Sequence, residues 1–249
     1  MHKAIFITVR TGSTRLPNKA LLKIKGKPTI EHLINRVKQT QLVDNIVLCT
    51  TTLPEDDILC DIADKHGILH YRGSVKDKLE RWRGACEEFS IDFFATADGD
   101  DLFCDPELLE LAFRQCETSD VDFIHGDELI CGSFTYGIKT SALRKVCEIK
   151  NTEDTEMMWT YFKDTKLFNV KSLQQVPKKY KRKDIRMTLD YEDDFKFFKK
   201  IIEYFGDKKF GLANILSYID ANPEIKDINY YLEEKWKNNQ IKKTKLVLK

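Results

Sequence analysis

Three cationic side chains stand close together in the stretch VRTGSTRLPNK, which runs from Val9 to Lys19 directly after an apolar run. Arg10, Arg15 and Lys19 supply charge-assisted hydrogen-bond donors, and Gly12 permits backbone conformations that turn amide groups toward one point. Such a turn is suited to binding a polyphosphate, although the spacing of a Walker loop is absent. A solvated basic loop after a strand is the plainer interpretation of the same residues.

Two carboxylates, Asp98 and Asp100, lie one residue apart in the stretch TADGDD. In extended backbone both point to the same side, where they repel each other unless a cation lies between them or one is protonated. Oxygen ligands at a strand end suit Mg²⁺, which also bridges phosphates, but a turn that caps the helix beginning near Pro106 explains them as well. We expect Asp190 to end another strand and to be a second metal ligand, whereas the acids 192–194 fit the first turn of a helix without any function.

The composition restricts the classes of protein to which this chain can belong. Its 249 residues carry 41 Lys and Arg against 40 Asp and Glu, so a nucleic-acid binder with a wholly basic face is disfavoured. The first ten residues show no signal-peptide cleavage pattern and no run long enough for a membrane span, which predicts a cytoplasmic protein without membrane insertion. Seven scattered cysteines without a C-x-x-C pair indicate reduced thiols rather than disulfides or a zinc site.

A strongly basic run, KKYKRKDIR at 178–186, has two interpretations. It binds an anionic acceptor or a second subunit, or it is a solvated charged face. The five histidines show no triad-like arrangement, and no G-x-S-x-G elbow is present, so acyl-transfer hydrolysis has no support.

The elements that must position these residues follow from the hydrophobic pattern. Through the first half, short apolar runs alternate with helical periodicities, which is typical of a parallel sheet with crossover helices. Strands are predicted at 4–9, 45–51, 68–73 and 92–98, and helices at 29–39, at 54–67, around 79–89 and from Pro106 onward. This order favours an α/β fold, a doubly wound three-layer α/β/α sandwich of the Rossmann-like kind.

The second half is less regular. Apolar runs within 121–126, 134–140, 167–173 and 184–190 predict strands, some of them antiparallel, and an amphipathic helix follows near 191–206 with Phe195, Phe198, Ile202 and Phe205 on its inner side. Two more helices are expected before a loose basic tail at 241–249. We therefore expect a single domain at 1–240, with an irregular excursion at 130–180 that forms the acceptor site or a dimer contact.

Several of these motifs together resemble one family. RTGSTRLPNK is similar to the R-x-x-S-x-R-L-P-x-K signature of the cytidylyltransferases that make CMP-activated acidic sugars, namely the KDO, nonulosonate and spore-coat polysaccharide enzymes. The likeness continues in order through VLCTTTLPEDD, YRGSVKDKLERW, DGDDLFCDPELL and MTLDYEDDF, and so covers most of residues 4–205. It implies a nucleotidyltransferase fold with a mostly parallel sheet and a small antiparallel extension.

The resemblance also implies roles for individual residues. Asp100 and Asp190 match the magnesium-binding positions of the family, and Asp98 adds a carboxylate to the CTP site where relatives have Thr or Gln. The residues expected to hold the CTP triphosphate are Arg10, Gly12, Ser13, Arg15 and Lys19, with Arg10, Lys19 and Asp100 serving catalysis. Those expected to line the cytosine pocket are Thr8, Thr50, Thr51, Thr52, Ser74, Asp77 and Arg81.

The function that follows is transfer of CMP from CTP to an acidic sugar, with Mg²⁺ as cofactor and release of pyrophosphate, for surface polysaccharide synthesis. Lys139 and Thr140 stand where relatives carry an acidic residue near the acceptor pocket, which favours, as an alternative, a phosphorylated acceptor and a CDP-linked product. A glycosyltransferase using the Asp98-Gly99-Asp100 triplet and a non-catalytic nucleotide binder are further alternatives. The family suggests a homodimer, for which Trp159 or Phe162 would be an interface anchor or part of the core.

Overall fold

Residues 1–249 are all described by a computed structural model. Seven strands form one sheet in the order β5-β4-β1-β6-β8-β7-β9, and β2 and β3 form a separate antiparallel hairpin. The strands are β1 (Lys3–Thr8), β2 (Lys23–Ile24), β3 (Lys27–Pro28), β4 (Asn45–Thr51), β5 (Leu69–Gly73), β6 (Phe93–Asp98), β7 (Phe123–His125), β8 (Tyr136–Lys139) and β9 (Val170–Ser172). Only β8 runs antiparallel to its sheet neighbours, so the sheet is mostly parallel as predicted.

Ten helices connect the strands or follow them. They are α1 (Thr29–Val37), α2 (Asp57–Lys65), α3 (Lys78–Glu88), α4 (Pro106–Thr118), α5 (Thr140–Ile149), α6 (Trp159–Lys163), α7 (Glu192–Phe205), α8 (Leu212–Ala221), α9 (Glu224–Asp227) and α10 (Glu233–Lys243). Short 3₁₀ turns lie at Lys19–Leu21, Pro54–Asp56, Lys178–Tyr180 and Tyr230–Leu232. No helix is long and apolar enough to cross a membrane.

The side chains of β1 alternate between two separate hydrophobic clusters, one on each face of the sheet. Ile5 and Ile7 belong to the larger cluster, together with apolar residues of α1, α2, α4, α7 and α8. Ala4 and Phe6 belong to the smaller cluster, together with residues of α3, α5 and α6. Because successive strand residues point to opposite faces, this alternation confirms the predicted three-layer sandwich.

The prediction of a strand at 184–190 is wrong. Only Arg186 forms a single bridge, to Cys131, and the segment passes across the end of β6, where the Leu189 amide donates to the Asp100 carbonyl at 2.8 Å. All residues from 185 to 190 are buried, so the apolar pattern reported burial rather than sheet pairing. The inner face of α7 is likewise shifted, since Phe197 and Ile201 are fully buried while Phe195 and Phe205 only pack against the cluster.

The last residues are not a loose tail. Helix α10 extends to Lys243, and the segment after it pairs with the end of α5 through a Lys150–Leu248 bridge. The Asn151 amide donates to the Val247 carbonyl at 2.8 Å, and the Lys249 amide donates to Ile149 at 2.9 Å. The residues LVL favour extended backbone, and here this segment forms backbone hydrogen bonds with the residues at the end of α5. The basic composition of the segment did not predict this pairing.

Candidate active site

A cleft of about 1100 Å³ opens at the carboxyl ends of β1 and β6. In the paired registers, Thr8 of β1 lies opposite Asp98 of β6, and Thr51 of β4 lies opposite Gly73 of β5. Ligands in open α/β sheets bind at this edge. In the lining, Lys and Arg outnumber Asp and Glu, so the cleft is suited to an anionic ligand.

Most of the residues expected at the site do line this cleft. They are Thr8, Arg10, Gly12, Ser13, Arg15, Lys19, Arg81, Asp98 and Asp100. Asp190 lies directly beneath Lys19 with a side chain that is 1 % exposed. The residues expected in the cytosine pocket that do not line the cleft are Thr50, Thr51, Thr52, Ser74 and Asp77.

Lys19 lies between the two carboxylates that were expected to bind a metal. Its Nζ donates to Asp100 Oδ2 at 2.7 Å and to Asp190 Oδ1 at 2.8 Å, and Arg15 donates to the same Asp190 oxygen at 2.7 Å. Burial by itself would raise the pKa of Asp190, but Lys19 and Arg15 outweigh it and lower the pKa to about 2. Asp190 is therefore ionised throughout the physiological range.

Asp100 has the opposite tendency. Burial raises the pKa of its carboxyl, and the neighbouring Asp190 and Asp98 raise it further, although Lys19 opposes them. No group of three or more His, Cys, Asp or Glu side chains is arranged to hold a metal ion. The two carboxylates nevertheless fit a Mg²⁺ ion that is shared with phosphates. Asp190 Oδ2 is buried without a hydrogen-bond partner, and Asp100 and Asp190 both contact the same ammonium group, that of Lys19.

Lys78, which the sequence analysis did not identify, pairs with Asp98. Its Nζ lies 2.8 Å from Asp98 Oδ1 and 4.8 Å from the centre of the Trp82 ring, whose Nε1 donates to Thr8 Oγ1 at 2.8 Å. Asp98 is thus paired with a cation of the protein, as Asp100 is with Lys19. In the sequence, the indication of this ion pair is the second carboxylate beside Asp100, because two neighbouring carboxylates repel each other unless a cation lies close by.

The residues from 74 to 81 position the side chain of Arg81, which lines the cleft. Asp77 caps α3 by accepting the Glu80 amide at 3.1 Å, and its other contacts are Thr155 and an ion pair with Lys150. The Ser74 carbonyl accepts from Arg81 at 2.7 Å. Arg81 itself faces the cleft, is 6 % exposed and has a buried Nε without a partner, so it retains donors for a ligand.

Arg186, the last residue of the basic run, is fully buried behind Asp190, so it neither faces solvent nor can bind an acceptor. It donates two hydrogen bonds to Asp194, at 2.9 and 3.1 Å, and a third to Glu233 at 3.1 Å. Asp194 in turn accepts the Asp190 amide at 2.9 Å, which fixes the backbone of that residue. The dipole explanation of Asp194 was therefore incomplete, because the carboxylate also partners a buried arginine that lies eight residues earlier.

The expectation that Lys139 and Thr140 help to form the acceptor pocket is wrong. Lys139 lies opposite Phe93, at the amino end of β6, and its nearest acid is Asp120 at 3.7 Å. Thr140 is buried and donates to the Ile91 carbonyl. Because β8 is antiparallel to β6, its carboxyl end lies at the sheet edge opposite the cleft.

Cations from later elements line the part of the cleft beyond the opening turn. From the basic run, Arg182 and Lys183 reach the lining, but Arg182 already pairs with Asp184 and Asp220. The other cations there are Lys163 of α6 and Lys237 and Lys243 of α10. Of the two proposed interface anchors, Phe162 is fully buried and stacks on Phe123, and Trp159 lines the cleft.

Comparison with known proteins assigns the chain to a family. The family profile described as cytidylyltransferase matches residues 4–234. The chain belongs to the cytidylyltransferase family. This confirms the family predicted from the motifs, and the members of this family are nucleotidyltransferases that transfer CMP from CTP.

Individual proteins similar to this cytidylyltransferase extend over nearly its whole length. The chain is 30% identical over 231 residues to the uncharacterised protein MJ1063 of Methanocaldococcus jannaschii, covering 92% of this chain and 95% of that protein. It is 28% identical over 236 residues to the spore coat polysaccharide biosynthesis protein SpsF of Bacillus subtilis, covering 90% and 97%. A solved cytidylyltransferase from Leptospira borgpetersenii superposes with a TM-score of 0.82 at 26% identity, covering 90% of this chain and 96% of that chain.

Proposed function

We propose that this cytidylyltransferase transfers CMP from CTP to an acidic sugar of the nonulosonate or KDO kind, with release of pyrophosphate, in the synthesis of a surface polysaccharide. The observation that supports it most is the position of Lys19, which joins the cationic opening turn to Asp100 and Asp190 at the sheet edge. The similarity to a spore coat polysaccharide biosynthesis protein supports a role in surface polysaccharide synthesis.

In this proposal, the opening turn binds the triphosphate. Arg10, Arg15 and Lys19 supply positive charge, and the amide groups of the turn add neutral donors. The cytosine lies toward Thr8 and Arg81, where a small polar pocket with fixed donors and acceptors distinguishes cytosine from uracil. Arg10 is the most exposed of the three cations, and its nearest acid is Glu156 at 3.6 Å, so it is free to turn toward a phosphate.

The reaction requires positioning and charge neutralisation more than covalent help. An acceptor oxygen attacks the α-phosphorus in line, a new P–O bond forms, and the bond to the bridging oxygen of pyrophosphate breaks. Lys19 and Arg15 neutralise negative charge on the leaving group, while Arg186 and Asp194 keep Asp190 in place. Mg²⁺ held by Asp100 and Asp190 would supply Lewis-acid polarisation of the α-phosphate.

A phosphorylated acceptor, which gives a CDP-linked product, is the second candidate. Lys139 no longer supports it, but Lys183 in the cleft does, since it adds positive charge beyond the triphosphate turn. The two products differ in the number of phosphates, because only a phosphorylated acceptor contributes a phosphate of its own. The homodimer stays a prediction.

The decisive experiment incubates the protein with each of the four NTPs, Mg²⁺ and a panel of sugar acids and small phosphorylated compounds, and follows pyrophosphate release. CTP with a sugar acid is expected to release the most pyrophosphate, and mass spectrometry of the product is expected to show one phosphate. A higher rate with UTP or ATP would contradict the assignment of the base. A two-phosphate product would replace the sugar acid by the second candidate.

A further inference from the structure

Asp56 is a buried carboxylate outside the group of residues that the reaction uses. It ends the 3₁₀ turn after β4 and is 1 % exposed. No Lys, Arg or His side chain forms a salt bridge with it. An ionised carboxylate that is buried without a cation destabilises the fold unless hydrogen bonds from the protein replace those that it would make to water. Asp56 therefore requires several donors around it.

Those partners connect the opening turn to the end of β4. Asp56 Oδ1 accepts both the amide and the hydroxyl of Thr11, each at 2.7 Å, and Oδ2 accepts the hydroxyl of Thr51. Burial alone would raise the pKa of Asp56, but the hydrogen bonds from Thr51 and Thr11 outweigh it and lower the pKa. Thr51, expected in the cytosine pocket, thus acts behind the cleft instead.

The backbone of the turn has few other attachments. Between Arg10 and Thr14, the Thr11 amide donates to Asp56, and the Ser13 amide donates within the turn to the Thr11 carbonyl at 2.7 Å. Gly12, Ser13 and Thr14 all line the cleft. The Thr11 hydroxyl also lies 3.4 Å from the Glu55 carbonyl, a longer contact than either bond to Asp56. Thr11 is therefore the residue that attaches the turn to the segment after β4, chiefly through Asp56.

We propose that Asp56 is a positioning residue for triphosphate binding, because it holds Thr11, and with it the amides of Gly12 and Thr14, against the end of β4. This inference rests on the proposed function, in which the turn binds the triphosphate. A rigid turn binds an anion more tightly because its donors do not have to be ordered when the ligand arrives. Asp56 does not line the cleft, so it acts on triphosphate binding through Thr11.

The test is the variant Asp56→Asn, which keeps the shape of the side chain and removes its charge. Its matched control is Asp57→Asn, since the neighbouring carboxylate is 62 % exposed and pairs with Arg72 at the surface. Dissociation constants are measured by calorimetry for CTP, for inorganic tripolyphosphate as a probe of the turn, and for CMP. Asp56→Asn is expected to weaken CTP and tripolyphosphate binding by about tenfold and CMP binding by less than about threefold.

A purely structural role of Asp56 would lower the melting temperature and weaken the binding of all three ligands equally, and that result would overturn the inference.

A second pair of variants, at Thr11, keeps the test valid if Asp56→Asn does not fold. Thr11→Val removes the hydroxyl but keeps the amide bond, whereas Thr11→Ser keeps both. We expect Thr11→Val to weaken tripolyphosphate binding severalfold and Thr11→Ser to match the wild type; equal affinities for both variants would also overturn it.

The outcomes separate this inference from the function on which it rests. If the wild-type protein binds neither CTP nor tripolyphosphate, the proposed function fails, and the positioning role fails with it. If the wild type binds both ligands and Asp56→Asn binds them equally well, only the positioning role of Asp56 fails.

Discussion

At the scale of single residues, the site is organised around charges that neutralise one another in the absence of a ligand. Lys19 is shared by Asp100 and Asp190, and Lys78 covers Asp98. The residue types and their positions at strand ends were recognisable in the sequence. Which cation pairs with which carboxylate was not, because Lys19 and Asp190 lie 171 residues apart.

Replacing Lys19 by Met tests the shared cation. We expect CTP binding to weaken by about 10- to 100-fold, because charge-assisted hydrogen bonds contribute roughly 1.5–3 kcal/mol and the two carboxylates would then repel the triphosphate. Calorimetric titration with CTP measures the effect. Lys23→Met, on the exposed side of β2, is the control and is expected to bind CTP like the wild type. An unchanged affinity of Lys19→Met would remove Lys19 from the site.

Replacing Asp100 by Asn separates activity from stability. The ionised carboxylate destabilises the fold at neutral pH, because burial, Asp190 and Asp98 raise the pKa of Asp100 above its ordinary value. We therefore expect the melting temperature to hold or rise while Mg²⁺-dependent turnover falls by at least about 100-fold. Pyrophosphate release at increasing Mg²⁺ and thermal unfolding give the two readouts. Turnover near the wild-type rate would show that Asp100 is not needed.

At the scale of elements, loops after the strands bring the site together, and buried polar residues fix those loops. Asp105 is an example on the far side of Asp100. It caps α4 by accepting the amides of Glu107 and Leu108, and its second oxygen accepts the Leu212 amide at 3.1 Å, where α8 begins. The start of α4 at Pro106 was predicted from the sequence, but the link of Asp105 to α8 depends on a contact with a residue 107 positions away.

Asp105→Ala is expected to lower the free energy of unfolding by about 2–4 kcal/mol, because two helix starts lose an acceptor and Arg36 loses a buried partner. Urea denaturation followed by circular dichroism measures the loss. The exposed neighbour Glu107 supplies the control, since Glu107→Ala removes an acid from the same helical turn and is expected to cost less than about 1 kcal/mol. Equal losses for the two variants would contradict the double role of Asp105.

At the scale of the whole molecule, stability depends on carboxylates whose pKa values are lowered in the fold. Interactions with Lys19 and Arg15 outweigh burial at Asp190 and lower its pKa to about 2. The nearby His125 and the ion pair with Lys163 lower the pKa of Asp127 to about 2 as well. Because the pKa of each carboxyl is lower in the folded protein than its value of 3.8 in the unfolded chain, ionisation stabilises the fold. This stabilisation is complete above pH 3.8 and is lost as the pH falls through the pKa of the folded state. The protein should therefore lose stability between about pH 4 and pH 2.

The contribution of Asp190 to this acid sensitivity is testable with Asp190→Asn. Its unfolding free energy is expected to fall less steeply than that of the wild type between about pH 4 and pH 2, by about 2 kcal/mol over the window. Urea unfolding at a series of pH values gives the slope. Asp207→Asn, which removes a carboxylate that is 88 % exposed, should keep the wild-type slope. Parallel slopes for all three proteins would show that Asp190 is not the cause.

The sequence by itself determined the layers of the sheet, the helices that cover them and the family, and most of the site residues that it predicted do line the cleft. These features depend on local periodicity, on capping residues and on motifs contained in single stretches, such as the turn from Arg10 to Lys19. The strand expected at 184–190 shows the limit of that reasoning, because an apolar run signals burial in a buried loop as strongly as in a strand.

Only the tertiary structure decided which side chains meet. It paired Lys78 with Asp98, placed Asp56 behind the opening turn, and set Lys139 at the opposite edge of the sheet because β8 runs antiparallel. Each of these contacts joins residues that are far apart in the chain or depends on strand direction. Neither local propensity nor spacing contains that information, since packing of the whole chain fixes both distance and direction.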